Sequence, residues 1–231
     1  MQLTELASRQ SLPPQAFRPT AELAVYPAVR ELAFRFAGRW GGDVLLSEFT
    51  GPYGRVDFLL AVHDNSALEE RRAAGLRPLS LLSEASVVAA LSGRYARSVA
   101  EVSARSGAAA NTVERVARVL ARSGHVIVTD DGRYRRHAAL RPVARTIALE
   151  AKVDDWKSAL RQARTYALWS TWSVVVLDRL TNEDALCTEA RQFGIGVAQH
   201  DDIVVHPRIQ PRVPHLQLFA SESYVGAAGL I

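Results

Sequence analysis

The sequence predicts an α/β protein whose two ends together form a mixed sheet flanked by helices, interrupted by a separate helical domain. Strand and helix patterns alternate before residue 78 and again after residue 141. The segment 78–141 instead shows three helix starts followed by a hairpin, and it carries most of the net positive charge. We therefore expect one discontinuous α/β domain, residues 1–77 and 142–231, with residues 78–141 inserted.

The first part of the chain predicts one helix and a hairpin. Apolar residues recur at helical spacing from Tyr26 to Trp40, and Gly41 with Gly42 ends the pattern. Two β-rich segments follow, 43–49 and 55–62, joined by the turn Gly-Pro-Tyr-Gly. A polar, helix-favouring stretch then runs from Asp64 to Gly75.

The inserted segment has three predicted helices and a hairpin. An amphipathic helix spans 79–91, Ser98-Val-Ala-Glu101 is a capping box, and Asn111-Thr-Val-Glu114 suggests another for a helix that ends at Gly124. Two short strands, 125–129 and 133–139, flank an Asp-Gly turn. This order closely resembles a winged helix-turn-helix domain.

After Pro142 the sheet pattern returns. We expect a strand at 146–153, a helix at 154–169, an apolar strand at 173–178, a helix at 182–193 and a last strand or hairpin at 195–205. Together with the first hairpin these elements make one α/β domain, with the insertion between its second and third strands.

Composition excludes several classes of protein. The single cysteine cannot form an internal disulfide, and no apolar run reaches the roughly 18 residues that a membrane helix needs. The first residues lack the pattern of a secretory signal, so we expect a cytoplasmic protein without membrane association. Glycine-rich nucleotide loops, Gly-X-Ser-X-Gly elbows and zinc-type Cys/His spacing do not occur.

Two lysines, Lys152 and Lys157, stand among 28 basic residues that are otherwise arginine. Lysine is a compact ammonium that can hold a single water molecule, whereas arginine is a planar, permanently charged fork. Lys152 also lies two residues after Glu150 on a predicted strand, so the two side chains share a face. A surface ion pair is the alternative interpretation of this pair.

The order of helix, hairpin with Asp57, strand with Glu150-Ala-Lys152, helix and strand resembles the restriction-endonuclease-like, or PD-(D/E)XK, nuclease superfamily. The family's proline before the aspartate is Val56 here. Asp57 and Glu150 are also 93 positions apart, and the inserted domain accounts for that separation.

The resemblance implies that Asp57, Glu150 and Lys152 are catalytic residues. Asp57 and Glu150 would bind Mg²⁺ or Mn²⁺, together with the Ala151 carbonyl, and Lys152 would hold or deprotonate the attacking water. Glu31 and Glu48 are weaker candidates for an outer acidic position. Gln162 and Lys157 are candidates to contact substrate or orient water, with a solvated helix face as the alternative for Lys157.

The inserted segment predicts DNA as the partner. Residues 83–141 carry ten arginines against five acidic residues. Arg115, Arg118 and Arg122 lie on one face of the third helix, near Thr112, and are suited to a major groove. Arg133, Arg135 and Arg136 surround Tyr134 in the hairpin and suit phosphate or minor-groove contacts. Binding of a protein partner is the alternative.

The sequence therefore favours a metal-dependent DNA endonuclease that hydrolyses phosphodiester bonds and finds DNA through its inserted domain. The alternative is a non-catalytic DNA-binding regulator that keeps a degenerate nuclease scaffold, which as a dimerisation platform would make the protein a homodimer. Fold analogy alone does not choose between the two functions.

Overall fold

The computed structural model of the 231-residue chain describes residues 3–7, 20–200 and 202–231. Its strands are β1 (Thr4–Ala7), β2 (Val44–Thr50), β3 (Arg55–His63), β4 (Val126–Val128), β5 (Tyr134–Arg136), β6 (Ala144–Lys152), β7 (Trp172–Leu177), β8 (Gly196–Gln199) and β9 (Asp202–Val205). Its helices are α1 (Thr20–Leu23), α2 (Tyr26–Trp40), α3 (Asn65–Ala73), α4 (Leu82–Ala90), α5 (Val99–Ser106), α6 (Ala110–Arg122), α7 (Trp156–Ala167), α8 (Glu183–Phe193) and α9 (Pro214–Ala228). None of these helices is long and apolar enough to cross a membrane.

The chain divides into two compact units. The sheet unit comprises Met1–His63 and Ala144–Arg212, and the helical unit comprises Asp64–Val143 and Val213–Ile231. The helical unit is therefore larger than the predicted segment 78–141, because it also takes in residues 64–77, 142–143 and 213–231. These three stretches were predicted to belong to the α/β domain.

The sheet unit is a mixed α/β structure, as predicted. Seven strands of the described chain form one sheet in the order β1-β2-β3-β6-β7-β8-β9. β3 is antiparallel to β2 and β6, whereas β6, β7 and β8 run parallel to one another. Thus the hairpin carrying Asp57 lies directly beside the strand carrying Glu150 and Lys152.

Helices cover both faces of this sheet. Alternate residues of β7 show the two faces: Val174 and Val176 join a core with α2, whereas Val175 and Leu177 join a core with α7 and α8. On β6, Leu149 and Ala151 enter the α2 core. Because strand side chains alternate, Glu150 and Lys152 point to the opposite face.

The helical unit has its own apolar core. Residues of α4, α5, α6 and the β4–β5 hairpin pack together, with Val87, Val102, Val113 and Leu120 fully or almost fully buried. The predicted capping box at Ser98 and Glu101 is present. The predicted box at Asn111 is wrong: α6 begins at Ala110 after an Ala109 N-cap, and the Asn111 side chain instead accepts from the N–H of Thr112.

The last helix, α9, was not predicted, and it belongs to the helical unit. It packs on α4, and Leu218 joins the core of that unit. Glu222 of α9 is fully buried and accepts hydrogen bonds from Arg71 (2.8 and 2.5 Å) and from the Leu79 N–H (2.8 Å). This buried ion pair explains why residues 64–77 and 213–231 belong together.

Candidate active site

Asp57 connects the two central strands of the sheet unit through its side chain. The backbone pairing of β3 with β6 ends at Phe58 and Leu149. Beyond that point Asp57 Oδ2 accepts a hydrogen bond from the Ala151 N–H at 2.8 Å, and Oδ1 contacts the Tyr26 hydroxyl at 3.0 Å. Asp57 is 3% exposed, so its carboxylate is held in a fixed position within the protein.

Glu150 and Lys152 meet on one face of β6, as the strand period requires. Lys152 Nζ lies 3.1 Å from Glu150 Oε1 and 3.2 Å from Glu22 Oε1. The other Glu150 oxygen, Oε2, accepts from the Tyr166 hydroxyl of α7 at 3.0 Å. Glu150 is 2% exposed, whereas Lys152 keeps partial access to solvent.

Glu48 lies across the hairpin from Asp57, between the pairs Ser47–Phe58 and Phe49–Val56. Its Oε1 contacts the same Tyr26 hydroxyl at 2.9 Å, and its Oε2 lies 3.0 Å from Arg55 Nε. Glu48 has a φ of 55°, which is uncommon for a residue with a side chain. Such strain often occurs at functional sites. Tyr26 thus links the Glu48 and Asp57 carboxylates.

The electrostatics of this cluster are dominated by burial of like charges. Burial, and then the negative charge of Asp57, raise the pKa of Glu150 to about 7, although Lys152 and Tyr166 act in the opposite direction. Burial acts to lower the pKa of Lys152, but Glu150, Asp57 and Glu22 outweigh it, and the pKa is raised. Lys152 therefore stays protonated and donates hydrogen bonds, so its ammonium is better suited to holding a water than to deprotonating it.

The carboxylates of Asp57 and Glu150 are the candidate ligands for a divalent cation. No group of three or more His, Cys, Asp or Glu side chains in the described part of the chain is arranged to hold a metal. Mg²⁺ needs only one or two carboxylates plus water, and Asp57 and Glu150 supply that number. A cation would also offset the charge of Asp57, which together with the larger effect of burial raises the pKa of Glu150. The two carboxylates therefore fit a magnesium ion in their chemistry.

The predicted auxiliary residues differ in whether they contact the Asp57–Glu150 cluster. Glu48 belongs to the cluster, but Glu31 is exposed on α2 and forms no described contact with it. Gln162 is half-buried on α7, and its Oε1 has no hydrogen-bond partner among the described residues. Lys157 is exposed, with its ammonium 5.6 Å from the centre of the Trp156 ring, which agrees with a solvated helix face.

Three residues of the cluster were missed from the sequence. Glu22 contacts Lys152, Tyr26 contacts Asp57, and Tyr166 contacts Glu150. Tyr166 lies four residues after the candidate Gln162 and therefore on the same side of α7, so helical spacing could have indicated that Tyr166 is near the site. Glu22 and Tyr26 lie near the start of the predicted helix, and nothing in the local sequence indicated that they would contact Lys152 and Asp57.

The helical unit exposes the basic residues that the sequence assigned to DNA. Arg115, Arg118 and Arg122 are exposed on α6 and line a shallow groove with Asn111, Glu114 and Val119. Arg118 pairs with Glu114 at 2.5 Å within this helix. Thr112 is half-buried at the start of α6.

The hairpin arginines differ in exposure. Arg133 is exposed and lies 3.4 Å from Asp131, whereas Arg135 and Arg136 are half-buried. Arg133 is therefore the most exposed of the three hairpin arginines.

No protein-family model, curated protein or solved structure matches this chain. The features that bear on function are the buried cluster around Asp57 and Glu150 and the basic surface of the helical unit.

Proposed function

We propose that the protein is a metal-dependent DNA endonuclease whose sheet unit resembles the PD-(D/E)XK nucleases and whose helical unit acts as a winged helix-turn-helix. The observation that carries this proposal is the meeting of Asp57, Glu150 and Lys152, where Lys152 Nζ lies 3.1 Å from Glu150, and burial together with the charge of Asp57 raises the pKa of Glu150. Asp57 and Glu150, 93 positions apart in the sequence, thus belong to one polar cluster in the sheet unit.

Each residue has a role that its surroundings support. Asp57 and Glu150 would hold Mg²⁺ or Mn²⁺, and the ion would neutralise charge that develops on the phosphate. Lys152 would hold the attacking water through its ammonium, whose raised pKa keeps it protonated. Glu22 and Tyr166 would position Lys152 and Glu150 respectively.

The DNA-binding role of the helical unit has support from its surface. The side chains of Arg115, Arg118 and Arg122 project from one exposed side of α6, and residues 83–141 carry five more arginines than acidic residues. Phosphate contacts by such residues give binding that weakens with salt. We therefore propose duplex DNA as the partner of this unit.

A non-catalytic regulator is the second candidate, and one feature favours it. Each described oxygen of Asp57 and Glu150 already contacts an internal donor: Tyr26 and Ala151 for Asp57, and Lys152 and Tyr166 for Glu150. The network is therefore satisfied by the protein alone, as a structural ion-pair cluster would be.

Cleavage and binding assays on the same preparations would separate the two functions. Supercoiled, linear duplex and single-stranded DNA are incubated with the wild type or Lys152→Ala, with Mg²⁺, with Mn²⁺ or with a chelator. The nuclease predicts metal-dependent cleavage by the wild type, and binding without cleavage by Lys152→Ala. Binding without cleavage by the wild type with either metal would establish the regulator instead.

A third variant tests the helical unit separately. Arg115→Ala combined with Arg118→Ala is expected to weaken DNA binding and to reduce the slope of log K against log salt by about 1.8. An unchanged affinity and slope would instead assign this face of α6 to a protein partner or to solvent.

A further inference from the structure

Two arginines of the helical unit lie side by side on one face of a short strand pairing. Arg97 and Tyr134 exchange both backbone hydrogen bonds at 2.8 Å, so the segment 92–97 runs beside β5. The Arg136 N–H also bonds the Ser92 carbonyl at 3.1 Å. Because Tyr134 and Arg136 share a face of β5, Arg97 and Arg136 are diagonal neighbours on that face.

Arg97 is held tightly by the protein. It is 8% exposed, its Nη1 donates to the Ala90 carbonyl, and its Nη2 donates to the Tyr95 hydroxyl at 2.8 Å. Its guanidinium also lies 4.9 Å from the centre of the Tyr95 ring. These contacts fix the position of its positive charge without neutralising it.

Arg136 is half-buried beside this charge and is incompletely bonded. Its Nε is buried and has no hydrogen-bond partner among the described residues. Neither Arg97 nor Arg136 forms an ion pair with any residue that the structure describes. Glu101 interacts electrostatically with Arg97 without forming an ion pair, and its Oε2 accepts hydrogen bonds from the Ser98 N–H at 2.7 Å and the Ser98 hydroxyl at 2.9 Å.

This arrangement is unfavourable unless an anion completes it. Burial, and then the charge of Arg97, lower the pKa of Arg136. Buried charges are normally paired, and an unmet buried donor carries a desolvation cost. Guanidinium groups match the oxygens of a phosphate, so one phosphate at the half-buried Arg136 would supply the counter-charge that both arginines lack.

We propose that Arg97 and Arg136 form a binding site for one phosphate group, next to Gly93. Gly93 borders the site, since a Cβ built on it would lie 3.7 Å from Arg136 Nε, in ordinary van der Waals contact. The phosphate site itself does not depend on the proposed function. Its ligand does, and we assign that ligand to the phosphate backbone of bound DNA. The site lies outside the arginine face of α6.

Phosphate titration of the full chain tests the site without DNA or cleavage. Thermal unfolding is followed as inorganic phosphate replaces chloride at constant ionic strength, for the wild type, Arg136→Met and the control Arg105→Met, which removes an exposed arginine of α5. Phosphate should raise the Tm of the wild type and the control but not that of Arg136→Met. Without phosphate, Arg136→Met should have the higher Tm, because it removes an unpaired charge beside Arg97.

Equal phosphate shifts in the wild type and Arg136→Met would overturn the proposal, since phosphate also stabilises proteins non-specifically. Arg136→Lys gives a second measurement if the methionine variant does not fold. It keeps the charge but not the fork, so its phosphate midpoint should move several-fold higher. An unchanged midpoint would also count against the site.

DNA binding then distinguishes the two sources of phosphate. If the ligand is DNA, Arg136→Met lowers duplex affinity and reduces the salt slope by about 0.9 relative to the wild type. If the phosphate shift is lost but duplex affinity is unchanged, the site binds free phosphate and the assignment to DNA is overturned. A protein without nuclease activity would still show the phosphate shift, so the two proposals fail separately.

Discussion

The ammonium of Lys152 lies 3.1 Å from the carboxylate of Glu150, two residues earlier on the same strand. The pKa of Glu150 is nevertheless raised to about 7, because Glu150 is buried and lies near the negative charge of Asp57. The cluster therefore holds excess negative charge that Lys152 offsets only in part.

The first prediction concerns pH and stability without metal. The pKa of Glu150 is raised in the folded protein from 4.5 to about 7, so ionisation opposes folding. Its stabilising contribution is complete below about pH 4.5 and is lost as pH rises through about 7, with a loss of up to about 3 kcal/mol. Urea unfolding of the wild type and Glu150→Gln across this range, in chelator, should show a decline that is confined to the wild type.

The second prediction concerns the metal. At a pH above 7, Mg²⁺ should raise the free energy of unfolding, because it binds the folded carboxylates. A concentration ten times the dissociation constant gives about 1.4 kcal/mol. Asp57→Asn should abolish this gain, whereas Asp184→Asn, an exposed control on α8, should retain it. Equal gains in all three proteins would exclude a metal site at Asp57.

The third prediction concerns the lysine itself. Lys152→Arg keeps a positive charge beside Glu150 and Glu22, so stability should change little. Cleavage should fall by at least about 100-fold, because the guanidinium fork cannot place the water where the ammonium does. Lys157→Arg is the matched control, since it changes the other lysine, which is exposed. Full cleavage by Lys152→Arg would remove the water-holding role.

The fourth prediction concerns Tyr166, whose hydroxyl lies 3.0 Å from Glu150 Oε2 and 2.9 Å from the Arg55 carbonyl. Tyr166→Phe should destabilise the protein by about 1 kcal/mol and raise the pKa of Glu150 further, because this hydrogen bond lowers it. The pH at which stability declines should therefore move upward. The exposed hairpin residue Tyr53 gives the control Tyr53→Phe, for which neither change is expected.

The fifth prediction concerns the ion pair that joins α9 to α3 in the helical unit. Glu222→Gln leaves the fully buried Arg71 guanidinium without its counter-charge, which should cost about 3 to 5 kcal/mol. Glu69→Gln makes the same change at an exposed position of α3 and should alter stability by less than about 0.5 kcal/mol. Denaturant unfolding of both variants measures the difference. A small effect at Glu222 would show that this ion pair contributes little to the stability of the unit.

The local sequence determined most of the secondary structure. Helical spacing with a glycine stop predicted α2, the Ser98 capping box predicted the start of α5, and the Asp-Gly turn predicted the β4–β5 hairpin. Strand alternation likewise placed Glu150 and Lys152 on one face of β6. These features depend on residues a few positions apart, whose geometry is set by the period of the helix or strand.

The tertiary structure alone decided which distant groups meet. Tyr26 reaches Asp57 across 31 positions, and Arg71 reaches Glu222 across 151, which moves residues 64–77 and 213–231 into the helical unit. The pKa of Glu150 also depends on burial and on Asp57, neither of which its neighbours in sequence specify. Periodicity tells which face a side chain occupies, but only the packing of whole elements decides what that face touches and how much water remains around it.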